Sequence, residues 1–240
     1  MANFNTHMTG ATIASSLTAS GLINLNIVSS AEVIALWAIG LVAGLMPDID
    51  SDDSTSVRLI FKLFGIGVAL AIGAAFYDKL SIVGLWLVGG IAYCIVRYLV
   101  LPVFEGFTVH RGSIHSLLSC SMFALTTTVI CFYVGSTAIF AYLAGFFMLV
   151  GMLTHLTLDE LYSVDLSNLE VKRSFGTALK PLAIDYPAAT GLQVVICAVA
   201  IYFAPPIEPF VEAIQEAQFT FLPINEWNLI KDLVSAKSQP

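Results

Sequence analysis

Charged side chains are scarce in this sequence. Asp, Glu, Lys and Arg supply 11% of its 240 residues, against roughly 25% in an average soluble protein. Hydrophobic residues reach 58% and the mean hydropathy is +0.86. A water-soluble domain of this size could not hide so much apolar surface. The composition therefore excludes a soluble globular fold and predicts a polytopic membrane protein. Positive charge is scarcer still, with 10 Lys and Arg against 17 Asp and Glu, a net charge of −7 and a pI near 4.9. Nucleic-acid binding needs a basic face and is excluded.

Other absences narrow the reading. The four cysteines, 94, 120, 131 and 197, have no CxxC spacing, so they read as small buried core residues rather than disulfides or a zinc site. The opening "MANFNTHMTG" lacks the basic stretch of a cleavable signal peptide, and the expectation is that it is retained. No repeat period of about 20–50 residues is present. Ionisable residues are also nearly absent from the middle of the apolar runs, where chiefly Lys62 and Arg97 occur, near run ends. A transporter would be expected to carry them at mid-span.

What the chain does have is long apolar runs. A helix needs about 20 apolar residues to cross a bilayer. Candidates are 31–47, 59–77, 81–101, 114–134, 137–157 and 189–205, with a weaker one at 11–30 diluted by Ser15, Ser16, Thr18, Ser20, Asn24 and Asn26. Small polar residues suit a helix packed on other helices, although 11–30 could instead lie in the interface. The expected fold is all-α, a membrane bundle of about six to seven transmembrane helices. Residues 1–205 read as one membrane-embedded domain and 206–240 as an amphipathic C-terminal tail. With seven spans, Arg58, Lys62, Arg97, Arg111, Lys172, Arg173 and Lys180 fall on one side, and Lys79, Lys231 and Lys237 on the other. The richer side is expected to be cytoplasmic.

The four histidines, 7, 110, 115 and 155, then all fall on that side. His7 precedes the first span. "GLMPDIDSDDS" closes the second, "HRGSIH" opens the fifth and "THLTLDE" closes the sixth. His155 and Asp159 are four apart, so a helix puts both on one face. Asp48 and Asp50 can direct oxygens at one point if the backbone after Pro47 is extended. His110 and His115 can wrap a point across Gly112. Imidazole with carboxylate suits zinc first, then manganese or iron, whereas calcium takes oxygen alone. His7, Asp48, Asp50, His115, His155 and Asp159 are the expected metal ligands. His110 is a ligand or a general acid. Arg111, with its planar fork, suits a substrate phosphate. Lys172, Arg173 and Lys180 either draw an anionic headgroup toward the metal or simply record the positive-inside rule. Asp52, Asp53 and Glu160 could hydrogen-bond ligating histidines.

The order Thr6-His7 with Gly10, then Gly44 to Asp50, His110 to Ser116, and His155 to Glu160 resembles the YdjM-like family. That family comprises LexA-regulated inner-membrane proteins regarded as metal-dependent hydrolases. "YSVDLSNLEVKRSFGTALK" (162–180) also looks like the family's segment after its last motif, so the resemblance spans residues 6 to 180. It implies a cytoplasm-facing metal site used for hydrolysis at the bacterial inner membrane; with Arg111 suited to phosphate, a phosphate-bearing membrane lipid or lipid-linked molecule is the expected substrate. More distantly, the pattern is similar to the helical site of zinc-dependent phospholipase C. Two departures, a first histidine at 7 and no histidine after 155, point to one or two metals rather than three. Two other classes stay open: a structural-metal interaction protein of a stress response, and an ion transporter.

Overall fold

The computed structural model describes residues 2–50, 55–102, 113–165, 170–171, 176 and 179–217; for residues 49, 50, 55, 56, 71, 74, 75, 164, 165, 170 and 171 it describes the backbone alone. His110, Arg111, Lys172, Arg173, Asp52 and Asp53 lie outside the described residues, as does the side chain of Asp50. The described chain is all-helical apart from a two-residue antiparallel ladder, β1 (Val164–Asp165) with β2 (Glu170–Val171).

The first helix, α1 (Phe4–Leu25), begins where the Asn3 side chain accepts the Thr6 N–H and ends at Asn26, which takes the left-handed conformation at φ 54°. It starts well before the weak run at 11–30, so His7 lies within the first helix rather than ahead of it. The reason is local: Asn3 satisfies an orphan N–H at the helix start. Helix α2 (Ser30–Ala43) opens with a full capping box between Ser29 and Glu32, then passes into a 3₁₀ turn at Met46–Asp50. The backbone carrying Asp48 and Asp50 is therefore a tight turn, not the extended segment that would let both direct oxygens at one point.

Two helices, α3 (Thr55–Phe76) and α4 (Ile82–Ile95, continued as a π-helical turn at Val96–Val100), form a pair. Next come α5 (Leu117–Tyr133), capped by Ser116, and α6 (Ala138–Leu161), capped by Thr137. Helix α7 (Pro187–Tyr202) has proline in its first turn, and α8 (Glu208–Glu216) is short. Among the described residues, two helices are both long and apolar enough to cross a membrane, Ile82–Val100 and Ala138–Leu161; α2, α5 and α7 are apolar but shorter.

Helix α6 is the centre, packed by α1, α2 and α5. Phe147 and Ala144 meet Leu22, Leu36 and Val33 in one core cluster, while Met152 and Leu156 meet Ala43 and Cys120 in a second nearer the C-terminal end of α6. Outward faces are apolar too: Leu17, Ile34, Leu70, Trp86, Val134 and Tyr202 are all at least 66% exposed. Large exposed apolar side chains on so many of the described helices are what lipid solvates and water does not. Cys120 is buried and Cys131 and Cys197 are partly so, but Cys94 is exposed, departing from the expectation that all four are core residues.

Candidate metal centre

All four motifs contribute to one cluster at the C-terminal end of α6. His155 and Asp159 lie one turn apart on its buried face, as the i, i+4 spacing requires. His7 comes from the first turns of α1, Asp48 from the 3₁₀ turn after α2, and His115 from the residue before the cap of α5. His7, His115, His155 and Asp159 are no more than 2% exposed, and the Asp48 side chain is 16% exposed.

The side chains face one another closely. His155 Nε2 is 3.4 Å from Asp48 Oδ1 and 3.9 Å from Asp159 Oδ2. His115 Nε2 is 3.8 Å from Asp159 Oδ2 and 4.0 Å from Asp48 Oδ1. His7 Nε2 is 3.3 Å from Asp159 Oδ1, which also accepts the Ala2 backbone N–H at 3.2 Å. The His7 and His155 rings stack with centroids 3.6 Å apart and planes 7° apart. Two overlapping groups result, His7–Asp48–His155 and His115–His155–Asp159, each with donor atoms within 4.8 Å of one another.

The protonation pattern suits a cation. His155 Nδ1 lies 2.8 Å from the Gly44 carbonyl. A carbonyl only accepts, so Nδ1 carries the proton, and in the neutral ring Nε2 then presents its lone pair to the cluster. Among the described residues, His155 Nε2 and His7 Nδ1 are buried with no hydrogen-bond partner. Such orphaned nitrogens are costly unless something else satisfies them. Imidazole nitrogens and carboxylate oxygens at this spacing could hold one or two divalent cations.

Lys180 and Glu160 have contacts of their own. The Lys180 ammonium lies over the Tyr186 ring, 6.0 Å from its centroid, while its backbone carbonyl accepts the Leu117 N–H at 3.0 Å and so helps to fix the start of α5 beside His115. Glu160 accepts the Gly176 N–H, tying that residue to the end of α6. Sequence reasoning missed three contributors. The Gly44 carbonyl and the Ala2 N–H leave no signal, because every residue carries backbone. Gln193 could have been found as a lone amide in the apolar α7; it is buried and donates to the Ser113 carbonyl at 3.2 Å, two residues before His115.

An all-helical, lipid-solvated bundle with a buried His/Asp cluster at one end defines a membrane protein that can hold a metal. The chain belongs to the YdjM inner membrane protein family, which matches residues 1–203. That membership places it at an inner membrane. No curated protein and no solved structure matches it.

Proposed function

We propose that this protein is a multi-pass, metal-dependent hydrolase of the inner membrane, acting at the cytoplasmic face on a phosphate-bearing lipid or lipid-linked substrate. The observation that carries the reading is the orientation of His155, whose Nδ1–H is taken by Gly44 so that Nε2 faces His7, His115, Asp48 and Asp159. His7, Asp48, His115, His155 and Asp159 would hold the cation, with Asp50 a further candidate from sequence. Bound there, a divalent ion supplies the Lewis acidity that makes water a nucleophile near neutral pH, and zinc fits this donor set first. Arg111 binds the anionic oxygens of the substrate, and His110 donates the proton to the leaving oxygen or joins the ligands. Lys172, Arg173 and Lys180 draw an anionic headgroup to that face.

One observation favours a second reading, a structural metal without catalysis. Four of the five clustered side chains are almost wholly buried, and closed sites are the structural kind. The partial exposure of Asp48 is the opening a substrate would use. Kinetics separate the two. Arg111→Lys keeps the charge but loses the two-bond fork, so it should retain metal and lower kcat/KM for an anionic lipid by about 1.5–3 kcal/mol, the size of a charged hydrogen bond. His110→Ala with metal retained and turnover lost makes His110 the acid; metal lost makes it a ligand. Absence of hydrolysis by wild type across a broad panel of anionic lipids favours the structural reading.

Topology has its own test. In a cysteine-free background, single cysteines at Asn5, Asp52, Val109 and Asp165 should all label from the cytoplasmic side, and one at Ser238 from the other. Opposite labelling at Asn5 and Asp52 contradicts the seven-span arrangement, because α1 and α2 must return the chain to the side where His7 and Asp48 meet.

A further inference from the structure

Beneath the cluster lies a layer with almost no side chains. Ala11, Gly44 and Gly151 stand four residues from His7, Asp48 and His155 respectively, each on the side away from the site. A Cβ on Gly151 would lie 2.6 Å from Ala43 Cβ and 2.9 Å from Gly44 N, and would run into the Gly40 carbonyl. One on Gly44 would run into Ala11 Cβ. Gly44 has φ −65° and ψ −9°, a conformation open to any residue, so its need for glycine comes from the approach of α1 and not from the backbone. That approach matters because the Gly44 carbonyl is the group that meets His155 Nδ1, and because His155 Nε2, 1% exposed as a residue and without a hydrogen-bond partner among the described residues, points into the cluster.

We infer that Gly44 is a positioning residue of the metal centre: seated between Ala11 and Gly151, its carbonyl locks His155 in the Nδ1–H tautomer and leaves Nε2 as the ligating atom. The inference rests on the metal-site reading given above and adds to it the group that aims one ligand. Partners that orient a ligating imidazole typically change metal affinity by about 10–100-fold when lost. The layer also explains how three helices bring their ligands within reach. Small residues let α1, α2 and α6 approach closely one turn below the donors, and the donors converge where the helices end.

The test uses the full chain in detergent, with zinc as the probe. Nitrogen-15 spectra of histidine-labelled protein, with His155 assigned through His155→Gln, should show a protonated Nδ1 and a bare Nε2 without zinc, and a shift at Nε2 on adding it. A protonated Nε2 in the metal-free protein overturns the role of Gly44 alone. A protonated Nδ1 whose partner nitrogen ignores zinc overturns the metal-site reading and the positioning role with it. Gly44→Ala should weaken zinc binding about 10–100-fold, and adding Ala11→Gly, which returns the lost space, should recover most of it. Gly21→Ala, where a Cβ meets nothing within 4 Å, should leave zinc binding unchanged. Wild-type affinity in Gly44→Ala overturns the inference. So does a double variant that unfolds like wild type yet fails to regain zinc.

Discussion

Asp159→Ala should abolish tight metal binding and destabilise the fold by about 3–5 kcal/mol, the usual cost of removing one partner from a buried charged cluster. Asp159 is 0% exposed and faces all three described histidines. One oxygen accepts the Ala2 N–H and faces His7, and the other faces His115 and His155. Its loss leaves three imidazoles with Asp48 as the remaining described carboxylate, on the more exposed edge. Metal content and thermal unfolding of the same detergent sample check both halves. Full metal occupancy with unchanged unfolding would remove Asp159 from the centre. Asp159→Asn is the sharper companion, because the amide keeps the shape and loses the charge: it should fold more nearly like wild type and still lose metal.

Chelation should lower the unfolding temperature of the wild type and leave His155→Ala nearly unmoved. A ligand that binds only the folded state stabilises by RT ln(1 + [L]/Kd), about 4 kcal/mol when free metal exceeds Kd by a thousandfold. For a chain of this size that is a shift on the order of 10 °C. The direction follows from the burial of His7, His115, His155 and Asp159. Without a cation, the orphaned His7 Nδ1 and His155 Nε2 remain an unmet desolvation cost. A chelator shift of equal size in both proteins would place the stabilising metal elsewhere.

The helices differed in how plainly the sequence announced them. Runs such as 137–157 and 189–205 became α6 and α7 with ends moved by a few residues, since continuous apolar composition marks a helix whichever face is buried. Helix α1 was harder. Its buried face is His7, Ala11, Ser15, Ala19 and Leu22, small and polar residues at a helical period, which averaged hydropathy reads as dilution. The same averaging hid the seven residues before position 11, where the chain is already helical and carries His7. How many of these helices span the membrane is a separate matter: α2, α5 and α7 are apolar but short, and α6 and Ile82–Val100 meet the requirement by length and composition.

In the site, side-chain chemistry was legible and backbone chemistry was not. The spacing of His155 and Asp159 needs only a helix to become a pair, and Asp48 stands out in an apolar neighbourhood. The 3₁₀ turn that presents Asp48 was not legible, because Pro47 restricts the residue before it and does not dictate the conformation of Asp48 and Asp50 after it. The Gly44 carbonyl could not be found from composition. Its role depends on what α1 and α6 lack at the crossing, which is a fact of packing. Which residues meet was therefore largely readable, while how His155 is aimed was not.

The most direct measurement is the metal-to-protein ratio of detergent-purified wild type beside His155→Ala, by elemental analysis on samples matched for folding. A metal centre built on His155 predicts one or two divalent ions per wild-type chain, zinc foremost, and a loss of at least one of them when the shared imidazole of the two donor groups is removed. Wild type that stays free of divalent metal after incubation with zinc, manganese or iron, or His155→Ala that binds as much as wild type, would contradict it.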